Sequence, residues 1–327
     1  MDLEQLAPWP ITPTRLVPTG SGVNNETYFV DATEGQFVLR VSLNTADPRR
    51  VRYEHELLGR LVAQELPFQT PAPVKTREND TLAVFESAEG PRLATLFFRI
   101  PGEPGTPTTA LAHPAGRALG QLDAALARVD LPVRGPLSLA DVHPLVPDPL
   151  AALDDLDLGA DRTRILALFE RVTAADAMLS VTLPAQIVHS DFAFPNVLFD
   201  GKVVTGLVDF EMAAPDVRAA DLACAIYITI VRAAPADRWA VLDSLITGYR
   251  RALPLDPTEA AAIPDLLLRR SASGIVHWIG RWRAGLCGPD EPLARVARNA
   301  SLTDWLEAYA PRVVLAVAGE KLPAVRR

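Results

Sequence analysis

The stretch from His189 to Phe210 constrains this chain more than any other. It reads His189-Ser190-Asp191-Phe192-Ala193-Phe194-Pro195-Asn196, then Val197-Leu198-Phe199, then Asp200-Gly201, then an apolar run from Val203 to Val208 that ends in Asp209-Phe210. Asp-Gly between two short apolar runs is a strong signal for a two-residue hairpin turn. The turn folds the second strand back on the first and delivers Asp209 close to Asn196. The H-x-D-x4-N loop then sets a further carboxylate, Asp191, just ahead of that pair.

Each spacing has a chemical use. Few, hard oxygen ligands are what Mg2+ takes when phosphates and water complete its octahedron. Phosphoryl transfer asks little covalent work of a protein; it needs an in-line hydroxyl, neutralised phosphate charge and fixed geometry. Asp191 is therefore the candidate catalytic residue, placed to take a proton from an attacking hydroxyl. Asn196 and Asp209 are the candidate metal ligands, placed to hold Mg2+ on the phosphates of ATP. His189 reads as a residue that packs and holds the loop, not as the base. The remaining histidines, His55, His113, His143 and His277, show no ligand-like spacing, so zinc is not expected.

Ahead of this region the chain reads as strands. Thr27-Tyr28-Phe29-Val30, a turn at Asp31 to Gly35, and Gln36 to Val41 predict an antiparallel hairpin. Gly20-Ser21-Gly22-Val23-Asn24-Asn25 before it reads as a small polar loop, where glycines let backbone N–H groups approach phosphates. Arg40 stands where a phosphate-clamping lysine is expected. It keeps the charge and can bind phosphate bidentately. Residues 49–66 read as a helix with Leu57, Leu58, Leu61 and Val62 on one stripe. Glu54 falls on the inward edge of that stripe, able to pair with Arg40. Two more strands are expected near 81–85 and 94–98, followed by a break at Pro101-Gly102-Glu103-Pro104-Gly105.

Helices dominate afterwards, near 108–128, 161–179, 218–233, 236–252, 258–284 and 292–309, with Pro264 expected to kink or split the fifth. Asp221 falls in the first turn of one of them, where a carboxylate caps the helix and can reach the loop backbone. The fold class expected is α+β, in two lobes. Residues 1–98 form a small antiparallel-sheet lobe for nucleotide binding, and 99–327 a larger, mostly helical lobe for catalysis and acceptor binding.

The 327 residues suit two lobes, and 49% hydrophobic with 22% charged residues is a globular balance. A net charge of −8 argues against nucleic acid as a partner. The acidic start Met1-Asp2-Leu3-Glu4 lacks an apolar signal core, and no apolar run is long enough to span a membrane. Two cysteines in separate segments, Cys224 and Cys287, fit a reducing compartment, so a cytoplasmic location is expected. The sequence assigns no oligomeric state.

The chain resembles the aminoglycoside phosphotransferase and choline kinase superfamily of small-molecule kinases, and within it the homoserine kinases with a protein-kinase-like fold. The resemblance rests on Gly22-Val23-Asn24-Asn25-Glu26-Thr27-Tyr28-Phe29-Val30, on His189 to Phe199, and on Gly206-Leu207-Val208-Asp209-Phe210 followed by Asp221-Leu222-Ala223. It implies Asp191 as catalytic base, Asn196 and Asp209 as Mg2+ ligands, and Arg40, partnered by Glu54, at the nucleotide phosphates. It implies Phe98-Arg99-Ile100 as the hinge, where the Ile100 backbone meets adenine. The expected reaction is ATP- and Mg2+-dependent phosphorylation of a hydroxyl on a small metabolite, an amino alcohol such as homoserine, with Glu211 or Asp216 receiving the ammonium. An aminoglycoside or choline/ethanolamine-type kinase is the alternative in the same class, and a nucleotide-binding pseudokinase scaffold the alternative in another.

Overall fold

The computed structural model describes residues 2–21, 24–43, 47–87, 90–131 and 138–320. The first strands are β1 (Pro13–Ser21), β2 (Asn25–Ala32) and β3 (Gly35–Ser42). Helix α1 (Pro48–Val62) follows, then β4 (Ala83–Phe85) and β5 (Arg92–Phe98). These strands form one antiparallel sheet in the order β1-β2-β3-β5-β4. Along β3 the two-residue period sends Phe37, Leu39 and Val41 into a core with Leu6, Trp9, Val30 and Leu96. Arg40 therefore projects from the opposite face, with Thr95 as its register partner on β5. Helix α1 starts at Pro48, with the Asp47 side chain accepting from the Arg49 amide at 3.0 Å. It stops at Val62, earlier than expected, with Ala63 as its C-cap.

The chain continues through β6 (Glu103–Pro104), α2 (Thr109–Leu126), α3 (Pro149–Ala152), α4 (Arg162–Thr182) and β7 (Ala185–Val188). The motif hairpin is β8 (Val197–Asp200) and β9 (Val203–Leu207), turning at Gly201 with φ 59°. Then come β10 (Ala214–Val217), α5 (Ala219–Arg232), α6 (Arg238–Ala252), α7 (Pro257–Arg283) and α8 (Asp290–Ala318). Helix α7 runs through Pro264 and is not split. The proline forfeits one backbone N–H, and burial of Ile263, Leu267 and Leu268 around it holds the helix together.

Two compact units result. One holds the described residues up to Pro104 together with Asn196–Glu211; the other holds Gly105–Pro195 and the described residues from Met212 onward. The chain therefore separates after Pro104, a few residues beyond the break expected near 99, and the motif hairpin groups with the sheet unit. Three contacts explain this grouping. Strand β6 pairs with β8, the Gln69 amide donates to the Thr205 carbonyl at 2.9 Å, and the Leu207 amide donates to the Gln69 carbonyl at 3.0 Å.

In the helical unit, α2 and α6 meet backbone to backbone. A Cβ added at Gly116 would stand 1.9 Å from the Leu245 carbonyl oxygen, and one at Gly248 would stand 2.1 Å from that of His113. Gly248→Ala is thus expected to cost about 3 kcal/mol, because neither helix can retreat without opening the core. Gly59→Ala, where an added Cβ meets nothing within 4 Å, should instead gain about 0.5–1 kcal/mol from helix propensity. Denaturant midpoints of the two variants check both signs.

Candidate active site

The motif loop opens in the helical unit. Strand β7 carries the chain to His189, which is buried, and the Asp191 amide donates to His189 Nδ1 at 3.3 Å. The ring of His189 also stands edge-on to Phe192 at 6.5 Å. These are the contacts of a residue that shapes a loop. Ser190 has φ 66°, a left-handed value uncommon for a residue with a side chain. Asp221, in the first turn of α5, holds this turn from below. Its Oδ2 accepts the His189 amide at 2.6 Å and its Oδ1 the Ser190 amide at 2.7 Å. Cys224, one turn further along α5, lies under the same loop, and burial pushes its thiol up to about 12. It is an inert filler there, not a nucleophile.

Asp191 follows, and its Oδ1 accepts from Arg270 Nη2 of α7 at 2.7 Å. Arg270 was not foreseen. In sequence it is one of two adjacent arginines in a long helix, and nothing local marks which of them turns inward. Arg269 engages Asp216 and Asp176 instead. Asp216 thus has Arg269 as its partner. His277, two turns beyond Arg270, is lowered to about 4 by burial and then by the Arg281 charge, so its ring is neutral near pH 7.

In the sheet unit, the Val208 amide donates to the Asn196 carbonyl at 2.9 Å, and Val197 is paired with Leu207. The hairpin therefore brings Asn196 alongside the residues that lead into Asp209. Asp209 itself has φ 70°. Arg40 makes a bidentate pair with Glu54, at 2.8 Å to Oε1 and 2.5 Å to Oε2. Its guanidinium also lies 5.0 Å from the centroid of Phe97. Burial opposes its charge, but Glu54, then Glu211 and Asp209, outweigh that and hold the guanidinium above its ordinary value. Arg40, Glu54, Asp209 and Glu211 thus form one electrostatic group. Glu211 accepts from Asn24 Nδ2 and Asn25 Nδ2, each at 2.6 Å, so its carboxylate staples the start of β2 to the end of the hairpin.

Gly20 and Ser21 close β1, with Ser21 paired to Glu26 after a register shift, while Gly22 lies outside the described residues. Ile100 is buried and packs on the hairpin, where a Cβ at Gly206 would stand 2.6 Å from its Cγ2. Among the described residues, no group of three or more His, Cys, Asp or Glu side chains is arranged as a metal cage. Asp209, a hard carboxylate acting on the cationic Arg40, has the donor chemistry that a divalent ion carried on phosphates would accept.

Residues 15–255 match the phosphotransferase enzyme family. A homoserine kinase of Methylobacterium nodulans is 30% identical over 298 residues, covering 88% of this chain and 88% of its own. The chain belongs to the phosphotransferase enzyme family. A second homoserine kinase, from Azorhizobium caulinodans, is 27% identical over 277 residues, 83% of each chain. Among solved structures, this phosphotransferase superimposes on a microcompartment-associated aminopropanol kinase with TM-score 0.74 at 18% identity, covering 96% of this chain and 98% of the other. It superimposes on the amicoumacin kinase hAmiN, solved with AMP-PNP, Ca2+ and Ami, with TM-score 0.69 at 15% identity, covering 93% and 94%. The fold is protein-kinase-like, an antiparallel-sheet region followed by a helical one, and the chain is a small-molecule kinase. Among the described residues no helix is long and apolar enough to cross a membrane.

Proposed function

We propose that this phosphotransferase uses ATP and Mg2+ to phosphorylate the hydroxyl of homoserine. Asp191 accepts the hydroxyl proton as the oxygen attacks the terminal phosphorus. Asn196 and Asp209 hold the metal, which when bound neutralises phosphate charge. Arg40, fixed by Glu54, faces the nucleotide phosphates. Gly20 and Ser21, at the end of β1, face them, with Gly22 assigned to the same role from the sequence alone, and the Ile100 backbone meets adenine. The observation that carries the choice of acceptor is Arg270 beside Asp191. Its guanidinium, with Arg281 further along α7 and a neutral His277 between them, gives this side of the catalytic carboxylate a positive character. A positive wall suits an acceptor that carries a carboxylate, as homoserine does, and opposes a polycationic aminoglycoside or choline. The homoserine kinase names of the curated relatives support the same choice.

The test is a panel of homoserine, ethanolamine, choline, 1-amino-2-propanol and an aminoglycoside, each with ATP and Mg2+. Homoserine should give the highest kcat/KM, by about 100-fold or more over acceptors lacking the carboxylate. A preference for choline or an aminoglycoside would defeat the assignment. ATP binding without transfer to any acceptor would favour a scaffold.

A further inference from the structure

Asp221 does not hold the loop alone. Asp123 lies in the last turn of α2, Asp221 in the first turn of α5, and both are fully buried. The two carboxyl groups are within hydrogen-bonding reach of each other. Two buried carboxyl groups in contact do not both ionise; one keeps a proton. Their surroundings decide which. Each Asp221 oxygen already accepts a loop amide, at 2.6 Å and 2.7 Å, and acceptor-only contacts favour the anion. Asp123 Oδ2 accepts from Tyr249 Oη at 2.7 Å, while Asp123 Oδ1 is buried and faces no donor among the described residues. As a hydroxyl, that second oxygen gains Asp221 as its acceptor. The helix ends agree, since a first turn favours negative charge and a last turn disfavours it.

We propose that Asp123 is a positioning residue for the catalytic loop: its un-ionised carboxyl donates a hydrogen bond to Asp221 and so fixes the carboxylate that grips the amides of His189 and Ser190. This rests on the reading of Asp191 as the proton acceptor, which the loop carries. Burial, and then the Asp221 charge, push the Asp123 carboxyl well above the usual carboxylate range. Burial raises Asp221 too, and His189 and the two loop amides pull it back. Tyr249 on α6 is raised by burial and by Asp123, so it stays a donor. The other groups facing the pair are Arg218, whose Nε donates to Glu259 at 2.8 Å, and Gln186 of β7, whose side-chain amide donates to the Asp123 carbonyl at 2.9 Å.

The sign of the pH effect follows from the raised folded value. The unfolded chain releases the Asp123 proton near pH 4, whereas the folded chain keeps it. Stability tied to that proton is complete at low pH and declines as pH rises toward the folded value, by about tenfold in the folding constant per pH unit. Asp123→Asn has no such proton. Unfolding of the full chain from about pH 5 to about pH 8 should therefore show Asp123→Asn gaining on the wild type as pH rises, at up to that slope. A difference independent of pH overturns the proposal, and this measurement needs no acceptor. In ATP-dependent phosphorylation of homoserine, Asp123→Ala should lower kcat by about 100-fold with little change in the KM for ATP. Asp123→Asn, whose amide can donate to Asp221, should recover to within about tenfold of the wild type. An Asp123→Asn enzyme as impaired as Asp123→Ala overturns it. If Asp123→Ala does not fold, a loss beyond about 100-fold in Asp123→Asn does the same. Failure of the wild type to use homoserine defeats the acceptor assignment alone, and the unfolding series still decides Asp123.

Discussion

Asp191→Asn is expected to lower kcat by about 10²- to 10⁴-fold, the range that loss of a general base produces. The KM for ATP should change little. The amide replaces the carboxylate atom for atom, and its oxygen can still accept from Arg270, which approaches Asp191 Oδ1 at 2.7 Å. The loop is held by Asp221 through the amides of His189 and Ser190, not through Asp191, so its backbone should stay where it is. What the amide cannot do is take a proton. A variant that binds ATP normally and turns over slowly would separate proton acceptance from loop geometry. Full turnover in this variant would remove Asp191 from the chemistry. Stability should fall only modestly, because the amide oxygen keeps the contact with Arg270 and both side chains are partly solvated.

The local part of this site was legible in the sequence and the long-range part was not. Asp200-Gly201 announces its hairpin because turn chemistry is decided by two residues, and the hairpin fixes where Asn196 and Asp209 go. The Arg40–Glu54 pair was readable because a strand period and a helical stripe each point one side chain inward. Asp221 was readable as a first-turn carboxylate able to reach the loop backbone; the capping expected of it is not found, because both its oxygens accept the loop amides and α5 has no side-chain cap. Arg270, Asp123 and Tyr249 carry no comparable mark. Arg270 meets Asp191 across 79 residues of chain, and Tyr249 meets Asp123 across 126. Those meetings depend on how α2, α5, α6 and α7 pack. The glycines at 116, 120 and 248 were a faint clue to that packing, since three glycines inside helices are costly unless backbones touch there. The same limit explains Asp216 and Glu211. Each looked like an available carboxylate, and each is committed to a partner distant in sequence, Arg269 for one and the Asn24–Asn25 pair for the other.

Glu54→Ala should be the most destabilising change at the site, at about 3 kcal/mol. The side chains of Arg40 and Glu54 are only 13% and 7% exposed, so removing the carboxylate leaves a guanidinium that water reaches poorly. Asp209 and Glu211 also act on Arg40, which keeps the loss at the lower end of the range for a broken buried pair. Their influence has a second consequence. Freed from Glu54, Arg40 is drawn toward Asp209, the proposed metal ligand, and competes there with the divalent ion. Activity should then fall further than stability explains, with a rise in the Mg2+ concentration needed for half-maximal rate. The double variant Arg40→Met with Glu54→Met separates the two effects. Replacing a buried pair by apolar residues of similar volume is often close to neutral for folding. That protein should regain most of the lost stability and remain inactive, since nothing cationic is left to face the phosphates. Equilibrium unfolding together with Mg2+ titrations of the rate tests this directly. A double variant with wild-type activity would show that Arg40 serves the fold alone.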